Sequence, residues 1–111
     1  MPQAPPRYTA RMETRIPLLA EAIREYCRRQ PIRRLSVFGS VLRDDFSAAS
    51  DIDLLVEYVP GVPVTLIDVA QQGIDLGAII GHRVDVRTTA DLSPYFRRAV
   101  IDVARLIYEH G

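Results

Sequence analysis

The chain has 111 residues, 48% of them hydrophobic, with 14 basic residues balanced by 14 acidic ones. That length and apolar content support one compact domain with a real core and little else. A net charge of zero argues against a protein that holds nucleic acid by bulk electrostatics, so no direct nucleic-acid binding is expected.

All the basic side chains are Arg, first of all a compositional bias and only secondarily a preference for guanidinium chemistry. Cys27 is the single cysteine. No intrachain disulfide can form, and a reducing, cytoplasmic setting is expected. No apolar run approaches the length of a membrane span.

Residues 1–10 open with "MPQAPPRY", which has three prolines and no apolar stretch of the signal-peptide kind. They read as a flexible N-terminal tail, and residues 11–111 as a single domain. "IPLLAEAIREYCRRQ" places Leu19, Ala22, Ile23, Tyr26 and Cys27 at helical spacing, with Pro31 as the stop. Cys27 falls on the apolar side, as a buried structural thiol rather than a nucleophile. "IRRLSVF" is a short strand ending at Gly39. "SVLRDDF" suits a short helix with Ser40 as its N-cap, and "SAAS" a loop. "DIDLLVEYV" is a second strand, nearly all apolar past Asp53, as a central strand would be. "VPGVPV" is an apolar loop, near the candidate site as a lid or partner contact, or simply buried.

"TLIDVAQQGIDLGAII" is a helix with Thr65 as N-cap and Gly81 as stop. "HRVDVRT" alternates as a third strand. "SPYFRRAVIDVARLIYEH" reads as a closing helix, with Ser93 as N-cap, Pro94 in its first turn, and Phe96, Ala99, Val100, Val103 and Ile107 on its apolar face. The whole is an α/β domain: a small mixed sheet of about three strands covered by helices.

The chemistry concentrates in "VFGSVLRDDFSAASDID". Asp51 and Asp53 are two apart on a strand, so their side chains share a face, with Cα atoms roughly 6–7 Å apart. Two carboxylates held so repel unless a cation lies between them, and Mg²⁺, with its oxygen ligands and affinity for phosphates, suits the pair. Gly39 lets backbone approach a ligand closely, and Ser40 with the following N–H groups favours an anion such as a phosphate. Asp85, alternating with Arg83 and Arg87 on one face of the third strand, is the candidate third carboxylate. Three carboxylates can hold two Mg²⁺ ions, one on a triphosphate and one activating an attacking hydroxyl. That is the chemistry of in-line nucleotidyl transfer. Each half of the pattern alone is commonly a turn or a solvated strand start; the combination favours a site.

These residues resemble the nucleotidyltransferase superfamily that includes DNA polymerase β and kanamycin nucleotidyltransferase, through "GSVLRDDFSAASDIDLLVEY" with its Gly-Ser, ten-residue gap and Asp-x-Asp. From about Arg11 onward, including "RVDV" and "LSPYFRRAVIDVARLIYE", the chain also resembles the minimal, MntA-type nucleotidyltransferases encoded beside a HEPN-domain partner. The resemblance implies an antitoxin that transfers AMP from ATP to a tyrosine of a HEPN ribonuclease toxin, in a hetero-oligomer with it. It implies triphosphate binding by Gly39 and Ser40, with Arg43 touching phosphate or bracing the loop. It implies two Mg²⁺ ions on Asp51, Asp53 and Asp85, with Asp85 also helping to deprotonate the acceptor. Arg87 stands where relatives commonly carry an apolar residue, and can pair with Asp85 or reach the triphosphate. A binding antitoxin that acts by occlusion, and a transferase acting on a small molecule, stand as alternatives.

His82 and His110 lack metal-ligand spacing and suit surface or strand-start roles. Arg28, Arg29, Arg33 and Arg34 bracket a helix C-terminus as dipole complements on a solvated face. Tyr95 and Phe96 are expected in the core or an interface.

Overall fold

The computed structural model describes residues 16–39 and 49–110. The expected tail at 1–10, the short helix at 40–46 and the candidate residues Ser40 and Arg43 lie outside those residues. The described elements are helix α1 (Ala20–Arg28), strands β1 (Ile32–Phe38) and β2 (Ile52–Tyr58), helix α2 (Leu66–Ile80), strand β3 (Val84–Thr88), a 3₁₀ turn (Thr89–Asp91), helix α3 (Arg97–Val103) and strand β4 (Arg105–Glu109). Among the described residues no helix is long and apolar enough to cross a membrane.

The four strands form one mixed sheet in the order β3-β2-β1-β4. β1 is antiparallel to β2 and to β4, and β2 runs parallel to β3. The parallel pair follows from its connection, since the 15-residue α2 carries the chain back along the sheet. Leu35 and Val37 of β1 stand opposite Val56 and Leu54 of β2, and Ile52 and Leu54 stand opposite Val84 and Val86 of β3. These residues make one apolar face. α1 adds Ile23 and Cys27 to it, and α2 adds Leu76 and Ile80, so a continuous core lies under the two helices.

Local signals account for most of the elements. Ile23 and Cys27, four apart, are the buried residues of α1. Its exposed side carries ion pairs from Arg28 to Glu21 and Glu25 and from Arg29 to Glu25. α2 opens on a full capping box between Thr65 and Asp68 and ends on Gly81 in the left-handed conformation (φ 77°). Two tyrosines pin α2 laterally: Tyr26 donates to Asp75 Oδ2 at 2.7 Å, and Tyr58 to the buried Gln72 at 2.8 Å. Cys27 is fully buried, and burial pushes its thiol up to about 12, in keeping with a structural role.

The C-terminal segment departs from the sequence expectation. The single closing helix is a short helix, α3, followed by a fourth strand, β4. α3 buries none of its residues, and Phe96 and Val103, expected on its inner face, are 66% and 62% exposed. Ile107 is buried, but as a strand residue. The reason is tertiary. Without β4 the outer edge of β1 would present a row of unpaired backbone groups. Pairing from Arg34 to Val37 with β4 satisfies that edge, and Arg24 of α1 donates to the Ile107 carbonyl at 2.9 Å. The loop "VPGVPV" leaves the end of β2 remote from Asp53, about 20 Å along an extended strand. Pro60–Pro63 is exposed, so the loop is neither buried nor beside the carboxylates.

Candidate active site

The face of the sheet opposite the core carries the candidate residues. Asp53 stands directly opposite Asp85 across the parallel β2–β3 pair, with Leu55 opposite Arg87 in the next same-face row. Asp51 immediately precedes β2 and is held in line with it, because the Ile52 N–H donates to the Arg83 carbonyl at 2.9 Å. β2 therefore contributes two carboxylates at i and i+2, and β3 the third. Opposite Asp53 on the other neighbouring strand stands Phe38.

Gly39 follows Phe38 with φ 77°, a conformation that favours glycine. A Cβ added there would overlap Asp53 Oδ2 and lie 3.1 Å from Asp53 Cγ. The backbone at Gly39 is thus packed against the carboxylate of Asp53. The sequence reading expects a close approach of Gly39 to a ligand; the one in the structure is to Asp53.

The start of β2 is clamped by residues just before β3. Gly81 turns the chain out of α2. His82 Nε2 then lies 2.6 Å from the Ser50 carbonyl, and Arg83 Nη2 donates to the Ala49 carbonyl at 2.9 Å. Arg83 Nε also lies 3.1 Å from Asp51 Oδ1. On β3 itself Arg87 meets Asp85 Oδ2 with Nη2 at 2.8 Å and Nε at 2.9 Å. That contact holds the Arg87 guanidinium even more firmly protonated than usual, with Asp53 and Asp91 adding to the effect. Asp91 accepts from the Thr88 N–H at 2.9 Å and fixes the turn after β3; this hydrogen bond holds the Asp91 carboxyl below its ordinary range. The pairing of Arg83 with Asp51 was not foreseen from sequence, although the shared face of Arg83 and Asp85 was the signal available for it. His82 plays the strand-start role expected of it.

The donor set suits a hard cation in kind: three carboxylates on one sheet face, all oxygen, with Asp51 and Asp85 partly exposed. Among the described residues, no three His, Cys, Asp or Glu side chains are already gathered as a metal cage. Two guanidiniums instead lie against Asp51 and Asp85. Beside the carboxylates, an open groove of about 660 Å³ runs between α2 and β3, reaching Asp51 and Asp85 at one end and lined along its length by Leu66, Val69, Gly73 and Ile74.

The profile of the nucleotidyltransferase domain family matches residues 19–107. The chain belongs to this family. Among the relatives of this nucleotidyltransferase is the candidate protein adenylyltransferase MJ0435 of Methanocaldococcus jannaschii, 33% identical over 73 residues, which are 66% of this chain and 76% of that protein. A solved structure described as a candidate minimal nucleotidyltransferase is 36% identical, with a TM-score of 0.68 over 84% of this chain and 92% of its own. A chain in the complex of a tri-AMPylated Shewanella oneidensis HEPN toxin with its MNT antitoxin matches with a TM-score of 0.60 at 18% identity, over 85% of this chain and 72% of that one. At that identity the likeness is one of fold. The chain is thus a nucleotidyltransferase of the minimal type.

Proposed function

We propose that the protein is a Mg²⁺-dependent antitoxin that transfers AMP from ATP to a tyrosine hydroxyl of a HEPN ribonuclease toxin, silencing it in a cytoplasmic complex. The observation that carries this reading is the register of Asp53 against Asp85, with Asp51 two residues before Asp53 and Gly39 packed on the Asp53 carboxylate. The relationship to a candidate protein adenylyltransferase supports a protein acceptor, and the fold shared with the HEPN-toxin complex supports the class of partner. Exposed Tyr95, Phe96 and Val103 offer apolar surface for a protein contact.

In this reading Gly39, with Ser40 and Arg43, receives the triphosphate. Asp51 and Asp53 would hold the Mg²⁺ ions, with Asp85 as a further ligand for the catalytic one. When bound, the cations neutralise the phosphate charge and lower the pKa of the acceptor hydroxyl. The tyrosine oxygen attacks the α-phosphorus. The bond from that phosphorus to the bridging oxygen of the β-phosphate breaks, and pyrophosphate leaves. The phenolic proton passes to the Asp85 carboxylate, and the product is a phosphodiester of AMP with the tyrosine. The protein supplies position and charge, and the groove between α2 and β3 gives an acceptor segment room to reach Asp85.

The test uses labelled ATP, Mg²⁺ and the cognate HEPN protein. The wild type labels the partner and releases pyrophosphate, and the Asp51→Asn/Asp53→Asn protein does neither. Equal neutralisation by both proteins with no labelling by either would overturn the enzymatic reading in favour of occlusion.

A further inference from the structure

The arginine pairs at the candidate site differ from the others in this protein. Those on α1 and at the β1–β4 edge join carboxylates with no other task. Arg83 and Arg87 are spent on Asp51 and Asp85, which the reading above assigns to divalent cations. Arg87 is the more committed of the two, since Nη2 and Nε converge on one oxygen, Asp85 Oδ2. Its stem lies in the row of Leu55, one step from the Asp53–Asp85 row. Its guanidinium senses Asp85, Asp53 and Asp91 together.

A guanidinium has donors only and keeps its charge at any pH a folded protein tolerates. A divalent cation needs the same carboxylate oxygen and is repelled by the guanidinium beside it. Metal and Arg87 therefore compete for Asp85. A phosphate offers the displaced fork a bidentate partner of equal quality.

We propose that Arg87 is a built-in counter-ion of the site, a positioning residue that holds Asp85 until a divalent cation takes the carboxylate and that then passes to the phosphates of the nucleotide. The inference rests on the nucleotidyl-transfer reading of the three aspartates. It makes metal binding at Asp85 weak without nucleotide. It also makes nucleotide and metal each strengthen the binding of the other beyond what their mutual chelation supplies.

The experiment measures Mn²⁺ affinity of the whole protein by the electron paramagnetic resonance of free Mn²⁺, without nucleotide and with a non-hydrolysable ATP analogue. Without nucleotide, Arg87→Gln is expected to bind Mn²⁺ roughly five- to tenfold more tightly than the wild type, with Arg87→Lys in between. With the analogue the gap closes or reverses, and the Arg87→Gln protein binds the analogue more weakly than the wild type. Thermal melting establishes that each variant is folded, and Arg87→Lys keeps the test open if the Gln variant is not. Mn²⁺ affinity that ignores Arg87 but falls in Asp53→Asn overturns the counter-ion. Affinity that ignores Asp53 as well overturns the metal-site reading beneath it.

Discussion

Gly39 and Asp53 occupy what would otherwise be one space. The absent side chain of Gly39 is the room in which the Asp53 carboxylate sits, and Gly39 itself takes a positive φ. Gly39 of the candidate phosphate site and Asp53 of the candidate metal pair are therefore not two features that happen to be near each other. Each sets the position of the other.

Gly39→Ala is expected to act on both. The left-handed backbone and the overlap with Asp53 cost about 1–2 kcal/mol of stability. The displaced carboxylate lowers nucleotidyl transfer at least about 100-fold, as removal of one electrostatic group does elsewhere. Denaturant melts beside a pyrophosphate-release assay separate the two effects. Full activity in the folded variant would contradict the arrangement.

Asp53→Asn is expected to split stability from activity. Asp53 and Asp85 are like charges in register across a strand pair, and the Arg87 guanidinium on Asp85 offsets their repulsion. In chelator the variant should melt within a few degrees of the wild type. Transfer should fall about 100-fold or more. A melting temperature several degrees lower would show that the carboxylate is structural.

Tyr26→Phe probes the contact between the helices. The lost hydrogen bond to Asp75 costs about 1 kcal/mol, with Asp75 keeping the Gln71 amide at 2.8 Å as a second partner. Activity should be unchanged, since both residues lie under the sheet face away from the carboxylates. A loss of transfer larger than the loss of stability would tie α2 to the site more tightly than its contacts suggest.

Cys27 sets an alkaline limit. Its folded thiol is raised by burial from 9.0 to about 12, so above pH 9 the unfolded chain sheds a proton that the folded chain keeps. Stability is at its full value below pH 9 and falls as pH climbs toward 12. The half-buried Tyr26 hydroxyl, raised by burial and by its bond to Asp75, adds to the fall from about pH 10 upward. Cys27→Ala should be less stable at neutral pH, yet lose the decline between pH 9 and 10. Urea titrations across that range read the slope directly, and an unchanged slope would mean that the thiol is not the source.

The legible parts of this chain are those in which local chemistry and tertiary need agree. Thr65 with Asp68, and Gly81, mark the ends of α2 because capping is decided within a few residues. The alternation in "DIDLLVEY" marks a strand and the shared face of its two aspartates because it is set by the backbone pleat. The fourth strand was hidden because Val100, Val103 and Ile107 also fit a helical period. Only the open edge of β1, formed about seventy residues earlier in the sequence, decides against it. The Arg83–Asp51 pair was hidden for a similar reason, since it joins residues 32 apart through a turn whose geometry Gly81 and His82 provide. The Arg87–Asp85 pair was visible as one of two possibilities, and the structure gives that one.

An arginine on Asp85 in place of a lysine or histidine also decides what the site can respond to. A histidine there would turn the carboxylate over to metal as the pH rose, and a lysine would do so under strong desolvation. A guanidinium gives up nothing to protons, so the titration of Asp85's partner takes no part in the exchange. What remains is competition among ions: the local supply of divalent cation, of nucleoside triphosphate, and of the salt that screens them both. On the counter-ion proposal, the release of Asp85 follows the ions around it rather than the titration of its partner.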